Sequence, residues 1–149
     1  MKIEFGSIER DSVECGELVK DYFARTIAGQ GTDPLVFRWS VYKALEDAGA
    51  YKLIVARDDN EIIGFALYAV FPHMHHEKQV YAQCDMIGVR PEHRGKGIAT
   101  RIIAFAEDRF KQMGVTHLVH LHRMIYEATT PLFLKLGFDP VEIIYRKEL

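Results

Sequence analysis

The segment that most constrains this chain runs Val89-Arg90-Pro91-Glu92-His93-Arg94-Gly95-Lys96-Gly97-Ile98-Ala99, where an apolar run meets an amphipathic one through a basic, glycine-punctuated turn. Glycine adopts backbone angles that other residues resist and lets the backbone approach a ligand closely. A helix starting here would point unpaired amide N–H groups and its positive dipole end outward, beside Arg94 and Lys96. Such an arrangement binds phosphate; an ordinary tight turn before a helix is the alternative. The spacing is neither Gly-x-x-x-x-Gly-Lys followed by Ser or Thr nor Gly-x-Gly-x-x-Gly, which sets the nucleotide-binding loops with those patterns aside.

A length of 149 residues suits one domain, residues 1–149, around a single sizeable core. The formal net charge of −2 argues against a surface built for nucleic acid, so Arg94 and Lys96 read as a local anion site. Cys15 and Cys84 match no metal spacing and read as reduced, buried thiols, which with the N-terminal MKIEFGSIERD points to a cytoplasmic protein. No apolar run approaches the ~18 residues of a membrane span.

Periodicity predicts a strand over residues 2–9 and then a helix capped by Asp11 or Ser12, with Leu18, Val19, Tyr22, Phe23 and Ile27 on one face. A second helix is expected to bury Phe37, Val41, Ala44, Leu45 and Ala48 and to end at Gly49. Strands at 51–57 and 61–71 form a hairpin about Asp58-Asp59-Asn60, and a further strand covers about 79–89. The helix after the glycine turn runs from about 96 to 113, burying Ile98, Ile102, Phe105, Ala106 and Phe110, and a strand covers 115–122. A short helix within 129–138 has a threonine cap, a first-turn proline and a following glycine, and a last strand lies within 141–146. The order is mixed α/β.

Arg94-x-x-Gly97-x-Ala99 resembles the Arg/Gln-x-x-Gly-x-Gly/Ala signature of the GNAT superfamily of N-acetyltransferases. The segment Leu132-Phe133-Leu134-Lys135-Leu136-Gly137-Phe138 is similar to that family's L-Y-x-K-L-G-F. The resemblance covers the chain from about Tyr51 onward, while residues 1–50 agree only in their strand and two-helix pattern. It implies a central, mostly antiparallel twisted sheet with a parallel, splayed strand pair, flanked by about four helices. The implied activity is transfer of an acetyl group from acetyl-coenzyme A to a primary amine, by direct attack in a ternary complex. By the same resemblance Arg94, Gly95, Lys96, Gly97, Ile98, Ala99 and Thr100 hold the pyrophosphate. Met86, Ile87, Gly88 and Val89 pair with the pantetheine arm, with an amide near Ile87 aimed at the thioester oxygen, and Phe133 lies near the sulfur. The implied partners are a small-molecule or protein amine and, by analogy, a second copy in a homodimer, without metal, nucleic acid or membrane.

Tyr81, Gln83, Asp85 and Ile87 alternate onto one strand face, where a buried strand would carry apolar groups. The family's glutamate base falls by resemblance on Gln83, which cannot accept the amine proton; Asp85 is the substitute, or else it pairs with a cation. Cys84 alternates to the opposite face, against a covalent acetyl intermediate. Phe133 stands where the family has a proton-donating tyrosine, leaving Tyr126 or water as donor, with Tyr126 as a packing residue the alternative. Six histidines, His73, His75, His76, His117, His120 and His122, invite a metal reading, but the first three lie on a loop without a matching carboxylate or cysteine cluster, and His120 and His122 share one strand face beside the implied cleft. By the resemblance His73 to His76 are candidate acceptor contacts, with solvated loop residues the alternative. By the resemblance Phe37-Arg38-Trp39 borders the acceptor site; the alternative has Phe37 buried and the other two at the surface. Gln83 and Phe133 keep a second reading open, a non-catalytic acyl-coenzyme A binding module. The acceptor is not specified by any of these residues.

Overall fold

The computed structural model describes residues 1–26, 36–121 and 130–142. Its elements are β1 (Lys2–Phe5), α1 (Ile8–Thr26), α2 (Trp39–Asp47), β2 (Tyr51–Asp58), β3 (Glu61–Pro72), β4 (Val80–Val89), α3 (Ile98–Gln112), β5 (His117–His120) and α4 (Thr130–Lys135), with a short 3-10 turn at Pro91–His93. The strands form one sheet in the order β1-β2-β3-β4-β5. Every neighbouring pair is antiparallel except β4 and β5, whose parallel pairing is permitted by the α3 crossover between them.

Two cores lie on opposite faces of this sheet. On the α3 face, Ile54, Ala56, Ala66, Tyr68, Ala82 and Cys84 meet Ile98, Ile102, Ala106 and Phe110. On the other, Leu53, Val55, Phe65, Leu67 and Met86 meet Ile8, Cys15, Leu18 and Val19 of α1, with Trp39 and Tyr42 of α2 packed alongside. Gly64 faces α3, where a Cβ would stand 3.2 Å from Ile98 and Ile102 atoms, so glycine sets how closely that helix sits. The hairpin between β2 and β3 turns through Asp59 (φ 45°) and Asn60 (φ 73°), the successive left-handed residues that a tight hairpin favours.

Three sequence expectations are corrected, and a fourth lies largely outside the described residues. The first strand stops at Phe5 and α1 starts at Ile8, ahead of the expected Asp11 or Ser12 cap. The Ile8 amide instead donates to both carboxylate oxygens of Glu46 at 3.0 and 3.1 Å, and Asp11 reaches back to the Ser7 amide at 2.9 Å. In α2 the inward face is rotated: Val41, Ala44 and Ala48 are exposed, while Trp39, expected at the surface in one of the two readings, is half-buried and packs with Phe37 at 5.4 Å against the second core. Strand β5 spans only four residues of the range expected. The expected strand within 141–146 falls mostly outside the described residues, and Val141 and Glu142 are not strand.

Candidate functional site

The basic turn folds as its glycines require. Gly95 has φ +73° and Gly97 φ +75°, and a Cβ at either would meet nothing within 4 Å, so backbone conformation alone selects glycine. Gly97 caps α3, and the first helical bond runs from the Arg101 amide to the Gly97 carbonyl at 3.1 Å. The amides of Ile98, Ala99 and Thr100 therefore precede the helical ladder and, with the helix dipole, form an anion-binding end. The Ile98 side chain itself is buried at 5 % exposure against the sheet, leaving only its backbone for a ligand. Arg94 is held beside this end: its Nε donates to the Val89 carbonyl at 3.0 Å and its Nη2 to Asp21 of α1 at 2.6 Å. Arg94 and Asp21 keep about a third of their side-chain surface in solvent, so a phosphate can reach the guanidinium. Lys96 is exposed on the same turn.

From this turn the site extends back along β4. Its register against β3 slips between Leu67/Tyr68 and Cys84/Met86, which leaves Asp85 as an extra residue in a β-bulge. The bulge corrects the simple alternation expected for this strand. Tyr81 and Gln83 lie on the α1 and α2 face with Phe71 and Ala69, and Cys84 on the α3 face with Tyr68, as anticipated. Beyond Asp85 the order is reversed: Met86 joins the α1 core, and Ile87 and Val89 pack on the α3 side. Ile87 is thus not on the face of Tyr81 and Gln83. Gly88 returns to the α1 side, where a Cβ would stand 2.7 Å from the Phe65 ring; the close approach that excludes a side chain there is to Phe65.

Pairing of β4 with β5 ends at Cys84 and His120, one residue before the bulge. Asp85 to Val89 have no strand partner on that side among the described residues, an edge able to pair with an extended ligand.

Asp85 is exposed, yet nearby protein displaces enough water to push its carboxyl above the usual range. Its charge acts on the Tyr42 and Tyr51 hydroxyls, whose pKa values are raised by burial first and by Asp85 second. The two tyrosine rings meet edge to face at 5.7 Å, so α2 and β2 each place a phenol near this carboxylate. No cation is paired with Asp85 in a salt bridge among the described residues. Neither tyrosine was legible as a site residue, because each is brought to β4 only by the packing of its own element.

On the opposite face, Cys84 is buried and its thiol is pushed well up by burial, while Sγ donates to the Met86 carbonyl at 3.4 Å. A thiol held protonated is a poor nucleophile. Tyr68 Oη lies 3.1 Å from His120 Nε2, and burial lowers the His120 pKa to about 4. His120 also packs against Phe133 at 5.0 Å and Phe138 at 5.1 Å, which anchors α4 beside the end of the β4 and β5 pairing. Phe133 presents a ring without a hydroxyl at this point. Tyr126 and His122 lie outside the described residues. Among the described residues no group of three His, Cys, Asp or Glu side chains is arranged to hold a metal ion, and no helix is long and apolar enough to cross a membrane.

Comparison with known proteins bears on this geometry. The model of the acetyltransferase (GNAT) family matches residues 15–138. No curated protein matches the sequence. Among solved structures, the chain is similar to a ribosomal-protein-alanine N-acetyltransferase from Brucella melitensis biovar Abortus 2308, at 22 % identity and TM-score 0.75 with 100 % of both chains covered. It is also similar to an aminoglycoside acetyltransferase from an uncultured soil metagenomic sample, solved with sisomicin, at 14 % identity and TM-score 0.79 over 99 % of this chain and 95 % of that one. A glucosamine-6-phosphate N-acetyltransferase from Arabidopsis thaliana matches at 14 % identity and TM-score 0.75 over 99 % and 97 %. At these identities the likeness is one of fold.

Proposed function

This chain belongs to the acetyltransferase (GNAT) family, and from that premise we propose that it acetylates a primary amine by direct attack on acetyl-coenzyme A in a ternary complex. The observation that carries the reading is the anion-binding end of α3, where three leading amides follow two left-handed glycines, with Arg94 held beside them and Lys96 exposed on the same turn. These groups suit a pyrophosphate: Gly95, Lys96, Gly97, Ile98, Ala99 and Thr100 supply backbone donors and charge, and Arg94 a guanidinium already oriented. The β4 edge from Ile87 to Val89, released from β5, suits the amide groups of a pantetheine arm.

The reaction needs a neutral amine, whose nitrogen lone pair forms a bond to the thioester carbonyl carbon while the carbon–sulfur bond breaks. One proton leaves the nitrogen and one reaches the departing thiolate, giving the N-acetyl amine and free coenzyme A. Asp85 accepts the amine proton, directly or through water; its raised pKa makes it a better base than an ordinary carboxylate. Gln83, two residues back on the same face, orients the amine by hydrogen bonding. Tyr126 or water returns the second proton, since Phe133 has none to give. The protonated, buried Cys84 favours direct attack over a covalent intermediate.

Thermal unfolding with and without acetyl-coenzyme A, beside Arg94→Ala, tests the donor site first. At about 100 times the dissociation constant a ligand stabilises by about 2.7 kcal/mol, a rise of several degrees in Tm for a domain this size. Wild type should show that rise and the variant a smaller one. Release of free coenzyme A with a panel of amines then tests transfer. No shift in wild type would remove the donor site, and a shift without coenzyme A release with any amine would remove the transfer reading.

A further inference from the structure

Four aromatic rings gather on the face of β4 that carries Gln83, toward the far end of the strand from the glycine turn. Tyr81 lies against Phe71 (6.0 Å, 23°), His117 (4.7 Å, 31°) and His73 (5.2 Å, 42°). The register places Tyr81 opposite Phe71 on β3 and His117 on β5, so the rings fan across three strands. Phe71 keeps 40 % of its surface in solvent and His117 is exposed. Each polar ring is tied in place: Tyr81 Oη donates to Gln79 at 3.2 Å, His117 Nδ1 lies 2.9 Å from Thr116 Oγ1, and His73 Nδ1 accepts the His75 amide at 3.1 Å. Solvated loop histidines have no need of such fixation, and a rigid, partly exposed ring ledge is what a stacking ligand requires.

Resting on the acetyltransferase reading above, we propose that this ledge is an acceptor subsite, which selects amines carrying a flat aromatic or heteroaromatic group at a set distance from the reacting nitrogen. Three regular rises of ~3.3 Å separate Tyr81 from Cys84 and the bulge adds part of one more, so the backbone of Tyr81 lies about 10–13 Å from that of Asp85. Gln83 lies between them on the same face. An acceptor whose nitrogen meets Asp85 therefore projects its far end over Tyr81. Desolvation, and then the neighbouring imidazoles of His76, His75 and His117, lower the pKa of His73 against the opposing charge of Glu142, which disfavours the charged form of that ring.

The test uses ω-arylalkylamines with two to ten methylenes, each beside an alkylamine of matched length. Coenzyme A release gives the ratio of kcat/KM for each matched pair, which cancels any general loss of activity. Wild type should favour the aryl compound about threefold to tenfold at the lengths that span the distance and little at the shortest, and Tyr81→Leu or His117→Ala should bring the ratio toward one. A ratio independent of chain length, or unchanged in both variants, overturns the subsite while leaving the transferase reading intact. If no amine is acetylated, the imidazole proton resonances of His73 and His117 still report on the ledge. Shifts on adding the long arylalkylamine but not its alkyl counterpart sustain it, and equal or absent shifts overturn it.

Discussion

At the scale of the residue, the most consequential assignment concerns Asp85. Its identity as a candidate base could be proposed from alternation with Gln83, but its surroundings could not, because Tyr42 and Tyr51 approach it from α2 and β2. Asp85→Asn keeps the size of the side chain and removes the base, so it should lower kcat several-fold while leaving the acetyl-coenzyme A dissociation constant unchanged. Steady-state rates beside a binding titration separate the two, and an unchanged kcat would take Asp85 out of the mechanism. The sign of the pH dependence follows from its raised pKa: the base works ionised, so the rate should fall on acidification at a higher pH than an ordinary carboxylate would give. Neighbouring Gln83 was readable as a departure from the family pattern, as was Phe133, since both are substitutions within recognisable motifs. Asp21 was not, because it stands 73 residues from the Arg94 it holds.

Secondary-structure elements show two glycines required for opposite reasons. Gly97 is needed for its left-handed backbone, with open space where a Cβ would be, whereas Gly88 is needed because Phe65 occupies that space. Gly97→Ala should cost about 1 kcal/mol of stability and weaken acetyl-coenzyme A binding, and no change in a neighbouring side chain should restore it. Gly88→Ala should destabilise through the Phe65 ring, and adding Phe65→Leu should recover part of the loss. Chemical unfolding of the two single variants and the double variant checks both expectations; equal rescue of Gly97→Ala by Phe65→Leu would contradict this division. The α3 start and stop were legible from the glycine turn and Gly114, because those signals are local. The α1 start was misplaced, because its leading amide is satisfied by Glu46 of another helix. In β4 the bulge was invisible: one extra residue at Asp85 changes which side chains share a face, and nothing in the local sequence marks it.

For the whole molecule, a buried carboxylate and a half-buried imidazole should govern acid stability in adjacent ranges. Asp11, 3 % exposed, receives Arg57 at 2.6 Å and Arg10 at 2.8 Å. Burial opposes its ionisation, but the hydrogen bonds from Arg10, Ser7 and Arg57 outweigh it and lower its pKa from 3.8 to about 2. A depressed carboxyl contributes stability above its unfolded pKa and loses it as pH falls through the folded one, so about 2 kcal/mol should disappear between about pH 4 and pH 2. His120 is neutral in the fold down to about pH 4, while the unfolded imidazole takes up its proton near 6.5. Stability should therefore also fall from about pH 6.5 to pH 4. Unfolding measured across pH should show both declines, with Asp11→Asn flattening the lower and His120→Leu the upper; an unaltered upper slope in His120→Leu would assign it elsewhere. By itself the sequence determined the mixed α/β class, the glycine turn and the family motifs, because helix periods, glycine conformations and short signatures are properties of contiguous residues. Only the tertiary structure decided the bulge at Asp85, the Asp21 clasp on Arg94, the rotated face of α2 and the ring ledge around Tyr81. Each of these depends on which distant element packs against which, and a linear pattern carries no record of that choice.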